Sequence, residues 1–82
     1  MFELRAVPIR PGGEHRYDEA EWRDALVFVE RGEVELECLS GHTCRLSRGA
    51  VLWLVDLPLR ALRNYGPESA LLVAVTRARE DR

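Results

Sequence analysis

From Asp24 onward the apolar residues of this chain fall in short runs rich in Val and Leu, broken by Gly, Ser, Asp or Pro, and no stretch sustains a helical period. Runs this short do not cover the face of a helix but do fill strands, so the pattern predicts an all-β sandwich or barrel. Strands are expected at residues 3–9, 24–30, 33–38, 43–46, 51–55, 60–64 and 70–77. Pro11-Gly12-Gly13 ends the first of them, and the polar stretch from His15 to Arg23 reads as loop or a short turn of helix. A chain of 82 residues closes one core, so residues 1–82 form a single domain whose marginal core a partner subunit would help.

The sharpest local inference is a hairpin. Glu33, Glu35 and Glu37 alternate with Val34, Leu36 and Cys38, which puts three carboxylates on one face and apolar side chains on the other. With Ser40-Gly41-His42 as the turn, Leu39 is expected opposite Thr43, Cys38 opposite Cys44, Glu37 opposite Arg45 and Leu36 opposite Leu46. Acids on the solvated face of such a hairpin discourage edge pairing and need no ligand to explain them.

Charge narrows the possible partners. All 12 basic residues are arginine, against 14 acids, for a net charge of −2. Nine acids face only Arg16, Arg23 and Arg31 between Glu14 and Glu37, whereas four arginines face Asp56 alone between Cys38 and Pro67. No contiguous basic stripe remains to release phosphate counterions, which argues against nucleic acid and anionic membrane as partners. No apolar run reaches the length of a membrane span, and Met1-Phe2-Glu3-Leu4-Arg5 lacks the basic-then-apolar order of a signal peptide, so the expected location is cytoplasmic.

The segment Asp24-Ala-Leu-Val-Phe-Val-Glu-Arg-Gly-Glu-Val-Glu-Leu-Glu37, then Leu46-Ser-Arg-Gly-Ala-Val-Leu-Trp-Leu54, then Arg60-Ala-Leu-Arg-Asn64-Tyr-Gly-Pro67, resembles the small single-domain cupins over about two thirds of the chain. Their motifs are G-x5-H-x-H-x(3,4)-E-x6-G and G-x5-P-x-G-x2-H-x3-N. The resemblance implies a conical β-barrel of jelly-roll type, a small-molecule-sized cavity and a tendency to dimerise. Gly32 matches the closing glycine of the first motif, Gly49 the opening glycine of the second and Asn64 its asparagine. The family's metal ligands do not carry over. Its glutamate falls on Ala25, its first two histidines on Asp18 and Ala20 or on Glu19 and Glu21, and its third on Arg60; Val55-Asp56-Leu57 stands for the Pro-x-Gly turn, with a proline displaced to Pro58. Arginine stays protonated and offers a metal no lone pair, so this reading expects a degenerate cupin with no metal and no cofactor.

Alternation from Arg60 through Leu62 to Asn64 puts Arg60 on the inward face, where a buried guanidinium needs either an acid (Asp18, Glu19, Glu21 or Asp56) or a bound anion. The candidate ligand-binding set is therefore Arg60, Asn64, Trp53 and Val27, with Asp18, Glu19, Glu21 and His15 as the supply of acids and bases should there be catalysis. Trp22, Trp53, Phe28 and Tyr65 could stack on a ligand but read first as core aromatics, Cys38 and Cys44 as small apolar core residues rather than a disulfide or a metal pair, and His15 and His42 as surface-loop histidines. Three functions stay open. The first is a metal-independent barrel binding a small organic anion; the second is a non-catalytic dimeric interaction or sensing module with a filled barrel; the third is a metalloenzyme on unfamiliar ligands such as His15, Asp18 and Glu21. A homodimer is expected from strands that are apolar on both faces: Ala25, Val27 and Val29 against Leu26 and Phe28, and likewise 51–55 and 71–75.

Overall fold

The computed structural model describes residues 1–18, 22, 24–54 and 58–77. Among these residues eight strands follow one another: β1 (Phe2–Ile9), β2 (Glu14–Arg16), β3 (Leu26–Arg31), β4 (Glu33–Cys38), β5 (Thr43–Ser47), β6 (Val51–Trp53), β7 (Leu59–Arg63) and β8 (Ala70–Arg77). They form two four-stranded sheets, the first in the order β1-β8-β3-β6 and the second in the order β2-β7-β4-β5. All pairings are antiparallel. No helix among the described residues is long and apolar enough to cross a membrane.

Seven of the strands fall where the apolar runs place them, and β2 does not, because Glu14-His15-Arg16 carries no apolar residue to signal a strand. It forms as the edge of the second sheet by pairing with β7, His15 opposite Leu62 and Arg16 opposite Ala61. Of the expected strand at residues 51–55, residue 55 lies outside the described residues.

The hairpin of β4 and β5 is present with a register two residues tighter toward β4 than expected. Val34 faces Leu46, Glu35 faces Arg45, Leu36 faces Cys44 and Glu37 faces Thr43. The turn is correspondingly longer, closed by Cys38 N–H donating to His42 C=O at 2.8 Å and Gly41 N–H donating to Cys38 C=O at 3.0 Å. Because the slip is an even number of residues, the three glutamates keep their outward face. Cys38 and Cys44 are not opposite one another; both are free thiols, Cys38 half-buried against the core and Cys44 exposed.

The inner faces of the two sheets close over one core. Val7, Ile9, Val27, Val29, Leu72 and Ala74 come from the first sheet, Val34, Leu36, Leu59 and Leu62 from the second. The chain crosses between the sheets at Gly32, which has φ 78°. A Cβ there would lie 2.9 Å from both the Ala70 Cα and the Ser69 carbonyl oxygen, so β3 can reach β4 this tightly only without a side chain.

Candidate functional site

Among the described residues, Val27, Val29 and Leu62 pack together in the core between the sheets. At one end Trp22, 1% exposed, closes it. Trp22 N–H donates to Asp18 C=O at 2.9 Å. Its Nε1–H donates to His15 Nε2 at 3.1 Å, and the two rings meet edge to face with centroids 5.1 Å apart. The Arg5 guanidinium stands 5.9 Å above the same indole, a cation–π approach. His15 is thus no loop histidine: it lies half-buried on β2 and faces inward beside Leu62, which its polar neighbours in sequence concealed. His42 is exposed, as expected of a loop position.

The four candidate ligand-binding residues do not come together. Val27 is buried in the core. Trp53 is 65% exposed on the outer face of the first sheet, because Leu52 and Leu54 take the inward positions on either side of it. Asn64 does face inward and is fully buried, but its side chain is already engaged. Its Nδ2 donates to the carbonyls of Ile9 at 2.9 Å and Glu68 at 2.8 Å, and its Oδ1 accepts from Gly66 N–H at 2.9 Å. Its backbone exchanges bonds with Gly12 and Gly13. Asn64 therefore clasps β1, the turn after it and the loop before β8.

Arg60 is exposed and does not face the barrel interior. The reason is a β-bulge: pairing along β4 passes from Glu37 opposite Ala61 to Cys38 opposite Leu59, leaving Arg60 as an extra residue on β7. The bulge lets Leu59 take the inward place that alternation assigns to Arg60. Among the described residues Arg60 makes no ion pair with Asp18; Glu19, Glu21 and Asp56 lie outside the described residues.

The outer faces of the two sheets differ in kind. On the second, Arg63 of β7 reaches Glu37 on the adjacent β4 and lies 3.5 Å from Glu14, which is itself 3.4 Å from Arg16. The hydrogen bond to Glu37 holds the Arg63 guanidinium above its ordinary pKa. On the first, cross-strand pairing lines up Leu4, Val75, Leu26 and Trp53 in one row over four strands, and Ala6, Val73, Phe28 and Val51 in the next. Leu4, Leu26, Val51 and Trp53 are each at least 38% exposed. A groove of about 490 Å³ opens in this face between Phe2, Leu26, Trp53 and Val75, with Asp24 and Arg77 at its rim.

No family model and no curated protein matches the sequence. Solved structures do match in fold. The Cupin_2 domain of an XRE family transcriptional regulator from Enterobacter cloacae superposes with a TM-score of 0.74 at 16% identity, covering 96% of this chain and 83% of that one. The chain folds as a small cupin domain. A cupin domain from Bordetella pertussis gives 0.68 at 23% identity over 94% of this chain and 82% of that one. A sugar phosphate isomerase of the cupin superfamily from Silicibacter pomeroyi gives 0.71 at 20% identity, over 94% of this chain but 51% of its own length.

Of the residues at a cupin's metal positions, two offer a metal no donor, and Glu19, Ala20 and Glu21 lie outside the described residues. Ala25 is buried and has no donor atom, Arg60 is a cation turned outward, and the Nε2 of the nearby His15 accepts the indole N–H. Among the described residues no three His, Cys, Asp or Glu side chains gather closely enough to hold an ion.

Proposed function

We propose that this cupin domain is a non-catalytic, metal-independent module that acts as a homodimer, two copies meeting through the outer face of the first sheet. The observation that carries the reading is the pair of apolar rows crossing all four strands of that sheet. An antiparallel sheet in a two-layer fold keeps one face for the core and wets the other. Here the second face is apolar as well, while the outer face of the second sheet carries the charges. A sheet four strands wide offers a footprint roughly 20 Å across, at the lower end of what a specific interface uses. The rim bears both Asp24 and Arg77, so two copies related by a two-fold axis need not repel.

The packing of Val27, Val29 and Leu62 into the core between the sheets supports this reading over an organic anion bound inside the barrel. Ala25 and Arg60, which offer a metal no lone pair, weigh against a metalloenzyme on the family's ligand positions. Light scattering coupled to size exclusion at micromolar concentration should give a species of twice 9.4 kDa. A monodisperse 9.4 kDa species would overturn the dimer. Elemental analysis after growth with iron, manganese and zinc should find no stoichiometric metal; one ion per chain surviving dialysis and lost in His15→Ala would overturn the metal-independent reading.

A further inference from the structure

We infer that the groove beside the β7 bulge binds a small organic oxyanion, a carboxylate or phosphate monoester carried on an apolar body. The groove has a volume of about 380 Å³ and lies at the end of the second sheet, away from the face assigned to the dimer. Among the described residues Arg16, Arg60 and Arg63 line it against one carboxylate, Glu14, and Leu39 and Leu59 supply an apolar wall. The three guanidinium groups are not equivalent. Arg63 is committed to Glu37 and shares Glu14 with Arg16. Arg60 has no ion pair among the described residues, so its fork of N–H donors is open to an incoming anion.

The bulge is the second observation, independent of the cavity. It removes Arg60 from the alternation of β7 and turns a cation toward the groove mouth, and the backbone is held there by Tyr17 N–H donating to Arg60 C=O at 2.9 Å. Bulges re-aim side chains in this way beside binding sites. Leu39, 60% exposed, is an apolar side chain left uncovered beside these charges, which suits a ligand with a charged head and an apolar tail better than a bare ion. The site does not depend on dimerisation, because the apolar face lies on the other sheet.

The test is titration of the isotope-labelled protein at low salt, followed by amide chemical shifts, with phenyl phosphate, benzoate, inorganic phosphate and neutral benzamide as probes. Phenyl phosphate or benzoate should shift amides of β2, the Leu39 turn and β7, and whichever binds more tightly identifies the head group. Inorganic phosphate should bind more weakly and benzamide should leave these amides in place. Arg60→Gln should weaken binding roughly tenfold or more, as expected for loss of a charge-assisted contact. Glu14→Gln should strengthen it, because a competing carboxylate is removed. The inference is overturned if neither organic anion shifts these amides up to about 10 mM, an affinity too weak to matter. It is equally overturned if Arg60→Gln binds as the parent does, or if benzamide binds as well as benzoate.

Discussion

Asn64, just past the end of β7, and Arg60, within it, lie four residues apart and show how differently two polar side chains can be used. Asn64 is buried with its amide bonded to three backbone groups, so Asn64→Ala strands two carbonyls and an N–H in the interior. That should cost about 2 to 4 kcal/mol in urea unfolding, within the penalty for leaving buried groups unpaired. Arg60→Ala should change stability by no more than about 0.5 kcal/mol, the usual effect of an exposed residue without a structural partner. A large loss in that variant would mean that Arg60 has a buried acidic partner after all. Asn64 was legible in sequence as an inward residue, but its task was not, since its partners are main-chain atoms that no side-chain pattern records. Arg60 was misplaced for a plain reason: a single inserted residue reverses the face of everything beyond it.

At the scale of elements, the short Val and Leu runs located seven strands, and β4 and β8 have the expected bounds. Alternation in residues 33–38 placed the glutamates outward whatever the turn length. The hairpin register was not legible, because a slip by two residues preserves every face and side-chain character alone does not discriminate between the two pairings. β2 was invisible because its strand character comes from its neighbour β7. The crossing from β3 to β4 makes a graded prediction. Gly32→Ala combines a positive φ with contacts of 2.9 Å to backbone atoms that cannot swing aside, so it should cost well over 1 kcal/mol. Gly41→Ala, with φ 94° but nothing within 4 Å of the added methyl, should cost only the conformational part, about 1 to 2 kcal/mol. Equal midpoints for the two variants in thermal unfolding would show that the Gly32 contact is relieved by movement of β8.

The whole molecule is a sandwich with a dry side and a wet side, and residues of β8, β3 and β6 report on different aspects of it. Leu72, fully buried, should cost about 2 to 5 kcal/mol when cut to alanine, seen as a lowered denaturant midpoint. Phe28→Glu, on the apolar outer face, should shift a dimer toward unfolded or aggregated chain more than toward a stable monomer, followed by light scattering and circular dichroism together. Trp53→Asp, on the edge strand of that face, should instead yield a larger share of folded monomer, and an unchanged dimer mass in both variants would place the interface elsewhere. The Asn64 clasp has a consequence for motion. It fastens the end of β1 in one sheet to the end of β7 in the other, through main-chain atoms on both sides of the junction. The two layers cannot part at that end unless these bonds break together. In deuterated solvent the amide protons of Gly12, Asn64 and Gly66 should therefore exchange at one common rate, as a single cooperative opening unit.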